Sequence, residues 1–600
     1  MNKDQKERVD TLRHSASHVL AAAVLRLYPG TNLGVGPAIE DGFYYDFEFP
    51  KPITEDDLPK IEEEMKKIVE EKHPFVRSEK SLKDAKAWSK KINQPYKLEL
   101  LEQIEKTGDT AVVDAGTVAK KNAPKVDSVS FYQSGEFVDL CRGPHVASTK
   151  DVKVFKLLSV AGAYWRGSEN NPMLTRIYGT AFESDRELDE YLVLQEEAKK
   201  RDHRMLGKKL DLFVFSQLVG GGLPLWTPKG TILRNLLDEF VWSLRKQKGY
   251  QKVTIPHITR KELYETSGHW EKFANELFKI ESREGHFFAM KPMNCPHHTQ
   301  IYASKQRSYR EMPVRFCETT MCYRDEQSGE LSGLSRVRAF TQDDAHVFLR
   351  KSQVEDEFLA TWDIIDEFYR AFGFELQVRL SLHDPGHMEK YLGTKDVWKD
   401  AEAQLRNVVK KRKTNAYEAP GEAAMYGPKI DFMAKDALQR EWQVATIQLD
   451  LNMPKRFGLS CINEKGEKED IVMMHCAIMG SIERFLSILI EHYAGKFPVW
   501  LAPIQMVVIP IADRHLKYAH AVAKRLSDGD MRVEVDDQTE SMQLKIRNAQ
   551  LMQVPYMLVV GDREETSQAV SVRLRSGEDL KAMPIVDFIA RVKEEVAKRT

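Results

Sequence analysis

Cysteine is scarce: six in 600 residues, Cys141, Cys295, Cys317, Cys322, Cys461 and Cys476, with no CxxC pair. This usage excludes a disulfide framework and points to a reducing cytosol with thiol or metal chemistry. Long hydrophobic runs are missing too. The N-terminal MNKDQKERVDTLRHSASHVL has no apolar secretory core. Stretches such as QMVVIPIA fall short of the ~20 residues that a bilayer span requires. No surplus of charge stands out: 89 Lys plus Arg against 90 Asp plus Glu leave a net charge of −1. That balance argues against bulk polyanion binding and leaves room for local basic surfaces. Low-complexity segments and internal repeats are also absent.

What is present suggests three or four domains at ~150 residues each, and a 42% hydrophobic content supports several cores. The first ~185 residues read as mixed α and β. A His-rich helix at 11–28 stops at Pro29-Gly30, charged helices are expected at 54–72 and 81–93, and strand-like runs at 126–138 and 152–182. Residues 184–206 read as one charged linker helix. Residues 207–500 interleave strands (VTIPHI, 314–322, 334–340, 374–382) with helices at 231–248 and 476–494. The lack of regular βαβ alternation favours an antiparallel α+β sheet. From 501 onward, MVVIPI, RVEVD, YMLVVG and AVSVRLR alternate with helices at 515–527, 541–552 and 585–599, a small parallel or mixed α/β domain. The expected fold is α+β and multidomain, divided at 1–183, 184–206, 207–500 and 501–600.

Two constellations carry chemistry. RFCETTMCYRDEQSGELSGLSRVRAFTQDDAH at 315–346 places Arg324 ahead of a turn-rich loop and Phe340 on the returning strand. Arginine offers bidentate phosphate contacts, and an aromatic can stack a base. Gln342 and Asp344, two apart on a strand, share a face. An ordinary hairpin with solvated charges is the plainer alternative. The second constellation pairs His14 with His18, four apart on one helix face, and Cys141 with His145 in DLCRGPHV. This quartet is metal-like or catalytic; a satisfied buried histidine pair is the rival.

The 315–346 stretch resembles motif 2 of class II aminoacyl-tRNA synthetases in their threonyl-tRNA synthetase form. KPMNCPHH (291–298), AMYGPKIDF (424–432), ATIQLD (445–450) and MHCAIMGSIERF (474–485) resemble the same family in the same order, and the likeness runs from about residue 8 to the end. It implies a class II antiparallel catalytic core, an N-terminal editing domain and a C-terminal anticodon-binding domain. It also implies activation of L-threonine by ATP with Mg²⁺, and transfer to tRNA(Thr) by a cytoplasmic homodimer whose interface involves Pro256.

The site residues follow from this resemblance. Arg324 is expected to hold the α-phosphate and Arg484 the γ-phosphate, with Glu326 at the adenine or ribose and Phe340 on the ring. Met293, Gln342, Asp344, Tyr426, Lys429 and Gln448 are expected to line the substrate pocket, and His269 to assist transfer. Cys295, His346 and His475 are expected to hold one Zn²⁺ per chain with a fourth position open, a catalytic pattern. Cys476 is the rival ligand; placed on a helix, it would point ~100° away from His475. His14, His18, Cys141 and His145, with Lys97 and Asp139, are expected to hydrolyse seryl-tRNA, mainly by positioning water. Glu564 and Arg573 are the expected anticodon contacts, although Gln538 and Thr539 stand where relatives commonly carry Arg and Asn, and Val444 stands where many carry cysteine. Basic residues at 199–209, with Arg406, Lys410, Lys411, Arg412 and Lys413, are candidate RNA-backbone contacts. With HSASH starting at residue 14, the ubiquitin-like domain that begins many bacterial members is not expected ahead of it.

Overall fold

The computed structural model describes residues 3–107, 126–168 and 170–599. The chain divides into two compact units, Met1–Glu196 and Glu197–Thr600.

In the first unit, helix Lys3–Leu27 begins earlier than the periodicity predicts. Leu12, Ala16, Val19, Leu20 and Ala23 recur at helical spacing and are buried against Phe43, Tyr45 and Phe47 of strand Gly42–Glu48. Each large apolar side chain removed from water in this way is worth ~1.5–3 kcal/mol. Gly30, with φ of +88°, turns the chain out of the helix. An antiparallel sheet runs in the order Asn32–Leu33, Gly42–Glu48, Met173–Phe182, Val154–Tyr164. A smaller sheet of Val76–Ser81, Ser128–Ser134 and Phe137–Leu140 carries helices Leu82–Lys91 and Pro95–Thr107. The latter helix, which brings in Lys97, went unread in the sequence.

The second unit is built on an eight-stranded sheet. Its order is Gln251–Lys252, Val314–Tyr323, Ala339–Leu349, Val472–Ala477, Glu441–Asp450, Lys429–Lys435, Leu376–Leu382, Ala416–Pro420. The pairing is antiparallel except at the two outermost pairs, which are parallel. Helices Pro228–Gln247, Val354–Arg370 and Ile482–His492 bury one face of the sheet in a core that includes Leu237, Phe240, Phe368 and Phe485. A five-stranded sheet follows in the order Val533–Val535, Met506–Pro510, Tyr556–Val560, Ala569–Leu574, Asp579–Pro584, parallel across its first three strands and antiparallel beyond them.

Three expectations need correction. The linker is not one helix over 184–206. Helix Asp185–Arg201 ends and His203–Lys209 begins anew, because the Asp202 side chain accepts a hydrogen bond from the Arg204 N–H at 2.7 Å and caps the second helix. Cys476 lies on strand Val472–Ala477, not on a helix. Alternation sends its thiol to the face opposite His475, toward the Tyr250 hydroxyl at 3.6 Å. The returning strand of the 315–346 hairpin starts at Ala339, since 324–338 forms a loop with a short helical turn.

Candidate active site

In the second unit, strand pairing assembles the pocket. His346 lies opposite His475, His475 opposite Gln448, and Gln448 opposite Lys429, so four sequence-distant side chains form one row across four strands. Phe340, Gln342 and Asp344 stand on the same face of their strand as His346, opposite Cys322, Thr320 and Glu318. Cys295 opens helix Cys295–Ala303, with Pro296 in its first turn. It is buried against Met473 and has Met293 beside it.

The ligand atoms of Cys295, His346 and His475 lie within 4.8 Å of one another, and all three residues are buried. Each imidazole has a partner on one nitrogen: His346 Nδ1 meets His298 Nδ1 at 2.8 Å, and His475 Nε2 meets Asp450 Oδ2 at 3.0 Å. The other nitrogens, His346 Nε2 and His475 Nδ1, remain for a ligand. Burial pushes the Cys295 thiol well up and the nearby Asp344 and Asp450 carboxylates add to the rise, while burial holds His346 well below its ordinary value. One thiol, two oriented imidazoles and two nearby carboxylates form a donor set suited to Zn²⁺.

The remaining expected residues surround this group. Asp344 accepts a hydrogen bond from Asn294 Nδ2 at 3.0 Å. The Tyr426 ring lies 4.8 Å from His475, and Gln448 Nε2 donates to the Gly427 carbonyl at 3.3 Å. Gly427 must be glycine, since a Cβ there would meet the Leu449 carbonyl oxygen at 1.7 Å. Lys429 pairs with Asp431 at 2.9 Å. The Arg324 guanidinium lies 5.2 Å over the Phe340 ring, and Glu326 pairs with Arg336 at 2.8 Å. Arg484 is exposed, with its guanidinium 5.6 Å over Trp442. His269 is buried, Nδ1 meets Ser267 Oγ at 2.8 Å, Nε2 has no partner, and burial lowers its pKa to about 4. Sequence reasoning missed Asp450 and His298 as partners of the imidazoles, although both sit inside the quoted motifs.

In the first unit, the ligand atoms of His14, His18, Cys141 and His145 also lie within 4.8 Å of one another. They line or adjoin a cavity of about 790 Å³. Cys141 Sγ is 3.3 Å from His14 Nε2, 3.2 Å from His145 Nε2 and 3.2 Å from the Gly143 N–H. His14 Nδ1 meets the Pro144 carbonyl at 3.2 Å, and His145 Nδ1 meets Ser15 Oγ at 3.1 Å. Burial pushes the thiol up to about 12 and lowers all three imidazoles, favouring the neutral form of each. Lys97 and Asp139 pair at 2.6 Å, and both contact the buried Tyr45 hydroxyl, which donates to Asp139 at 2.6 Å and accepts from Lys97 at 3.0 Å. Tyr45 had no signal in the sequence, where it reads as one more aromatic of a strand.

Several expected RNA contacts are occupied internally. The Glu564 carboxylate accepts from the Gly561 N–H at 3.0 Å and from Ser571 Oγ at 2.7 Å, and Arg573 lies 3.8 Å from Asp579. Arg406 pairs with Glu418, Lys411 with Glu355, and Arg412 with Asp363 and Asp366. Lys200 pairs with Glu197 and Arg204 with Asp202. Part of the basic charge at these positions is thus matched by neighbouring carboxylates.

Comparison with known proteins agrees with this geometry. Residues 278–493 match the tRNA synthetase class II core domain (G, H, P, S and T), 505–595 the anticodon binding domain, and 129–178 the threonyl and alanyl tRNA synthetase second additional domain. The chain is 48% identical over 600 residues to a threonine–tRNA ligase of Rubrobacter xylanophilus, covering 99% of this chain and 90% of that protein. It is 47% identical over 611 residues to one of Gloeobacter violaceus, covering 100% and 94%. A solved structure described as the RNA binding domain of threonyl-tRNA synthetase from Cryptosporidium parvum matches with a TM-score of 0.63 and 35% identity, over 66% of this chain and 98% of that one. The chain belongs to the threonine–tRNA ligase family.

Proposed function

We propose that the protein is a threonine–tRNA ligase that forms threonyl-adenylate from L-threonine and ATP, transfers threonine to tRNA(Thr), and hydrolyses mischarged seryl-tRNA(Thr) in its first unit. The observation that carries this reading is the single row of Lys429, Gln448, His475 and His346 closed by Cys295 and Tyr426. Zn²⁺ held by Cys295, His346 and His475 would supply a Lewis acid for the amino and hydroxyl groups of threonine. Asp344 and Gln342 face the same pocket and can bind the substrate's polar groups. A site that satisfies a hydroxyl rejects valine, which lacks one.

Adenylate formation needs positioning and charge compensation more than covalent help. Arg324 on the α-phosphate and Arg484 on the γ-phosphate provide that compensation, with Mg²⁺ accompanying ATP. Phe340 offers a ring face to the adenine, and Glu326, held by Arg336, an acceptor at its edge. His269 is neutral at working pH with an unpaired Nε2, which suits a proton acceptor in transfer to the tRNA ribose.

Serine keeps the hydroxyl and lacks a methyl, a difference worth only ~1–3 kcal/mol. A second, hydrolytic site removes that error. The neutral His14, His18, Cys141 and His145 can orient a water, while the Lys97–Tyr45–Asp139 network fixes the floor of the cavity. Residues 1–183 form the editing domain, 184–206 the link, 207–500 the catalytic domain and 501–600 the anticodon domain. Glu564 and Arg573 would contact the anticodon after exchanging their internal partners. The working form is a cytoplasmic homodimer with its interface near the exposed Pro256; six free cysteines support a reducing compartment.

Pyrophosphate exchange tests the reading. We expect exchange with threonine, weaker exchange with serine and none above background with valine. Exchange that ignores the amino acid, or none with threonine, rejects it.

A further inference from the structure

The third group of ligand-type side chains in the fold is Asp202, His203 and Glu491. Its hydrogen bonds show that it is not a metal site. His203 Nε2 accepts the backbone N–H of Leu334 at 3.0 Å, and a backbone N–H can only donate. Nε2 is therefore unprotonated, so Nδ1 carries the proton and donates it to Glu491 Oε1 at 2.6 Å. Both ring nitrogens are spent. The same Glu491 oxygen accepts the His203 backbone N–H at 3.0 Å, and the other carboxylate oxygen pairs with Arg440. His203 is 4% exposed, Glu491 7% and Leu334 0%, so water does not compete for these bonds.

Leu334 lies within the loop 324–338 that carries Arg324 and Glu326. The loop backbone is flush against the imidazole: a Cβ on Gly333 would fall 2.2 Å from His203 Nε2, and Gly333 sits at φ of +51°. The loop is tied a second time where Ser335 Oγ meets Ser487 Oγ at 3.0 Å on helix Ile482–His492. From its tip the chain returns through Arg336 and Arg338. Arg336 pairs with the Glu326 carboxylate, and Arg338 Nε donates to the Glu326 carbonyl at 3.0 Å. On its other side Arg440 pairs with Asp436, which accepts Trp442 Nε1 at 2.9 Å, and Trp442 is the ring beneath Arg484.

We propose that His203 is a positioning residue for ATP: in its Nδ1–H form it hangs the loop of Arg324 and Glu326 from Glu491, the carboxylate that Arg440 links to the Trp442 platform of Arg484. The imidazole touches no substrate. It fixes where the loop backbone sits, and with it the two side chains that receive the nucleotide. Ordering the loop before ATP arrives removes that ordering cost from binding. The inference rests on the reading of 324–338 as the ATP loop.

The test uses three variants of the full chain. His203→Asn keeps a donor for Glu491 and loses the acceptor for Leu334, His203→Gln can restore the acceptor, and His203→Ala loses both. In threonine-dependent pyrophosphate exchange we expect Asn and Ala to raise KM for ATP about tenfold, the scale of one buried hydrogen bond. KM for threonine should stay within about twofold, and Gln should recover most of the loss. Hydrogen exchange at Leu334 should rise in Asn and Ala and stay low in Gln, without nucleotide. Unchanged KM for ATP in all three variants overturns the proposal, as does a Gln variant no better than Asn, or a loss confined to melting temperature. If the unmodified protein shows no threonine-dependent exchange, the functional reading fails instead, and protection at Leu334 decides the role of His203 alone.

Discussion

Two clusters of histidine and cysteine, alike in composition and in the closeness of their ligand atoms, differ in the charge around them. Beside Cys295, His346 and His475 stand Asp344 and Asp450. Among the described residues neither carboxylate is paired with a lysine or arginine; their partners are Asn294, His346 (Nε2 3.8 Å from Asp344), His475 and the backbone N–H groups of Asn452 and Met453. Both carboxylates raise the cost of ionising the Cys295 thiol, and a divalent cation removes that cost. Beside His14, His18, Cys141 and His145 stands Asp139, already matched by Lys97 at 2.6 Å. In that quartet the thiol meets His14 and His145, while His18 Nδ1 has no partner among the described residues. Local charge, more than ligand identity, separates the two clusters, and on the proposed reading it favours zinc at Cys295, His346 and His475.

The largest effect should come from exchanging the two cysteines. Cys295→Ser should bring bound zinc from about one per chain to near zero and lower pyrophosphate exchange by at least ~10²-fold. Cys141→Ser should leave metal content and exchange unchanged. Metal analysis finding two zinc ions per chain, or zinc lost with Cys141, breaks the comparison. Next, His14→Ala combined with His18→Ala should leave charging intact and slow seryl-tRNA clearance by roughly 10²-fold or more, the range for a positioned proton-transfer group; unchanged clearance would place hydrolysis elsewhere. A smaller effect sharpens the contrast in charge: Asp450→Asn should weaken zinc binding ~10–100-fold in a chelator competition, whereas neutralising Asp139 should not alter metal content at all.

The cluster of Cys295, His346 and His475 was legible because its members sit in contiguous motifs whose order along the chain is distinctive. Its orienting partners were not legible. Asp450 ends a quoted motif and His298 lies three residues after Cys295, yet only strand pairing reveals which imidazole each one holds. Cys476 shows the failure most sharply. The apolar run with Gly480 reads as helix from 476, and helical geometry turns the thiol away from His475. The thiol does point away from His475, but by strand alternation. The basic runs were only partly legible, for another reason. Composition shows lysines and arginines and hides the acids that fold back on them, as Glu355, Asp363 and Asp366 do. Tyr45 could not be read at all, because its role depends on the helix that brings in Lys97 and the strand that brings in Asp139.

Strand Ala339–Leu349 has a further consequence. Its even positions, Phe340, Gln342, Asp344 and His346, make the pocket, while its odd positions, Asp343, Ala345 and Val347, make the core on the other face. Asp343 is fully buried, pairs with Arg245, and accepts the backbone N–H groups of Ile478 and Met479 at 2.8 and 3.0 Å. Two aspartates in succession thus serve opposite sides of one sheet. Most substitutions in this strand damage one side alone. The loss or gain of one residue would exchange the sides, turning the pocket residues into the interior and the core toward water. The buried Asp343–Arg245 pair holds the strand against that slip.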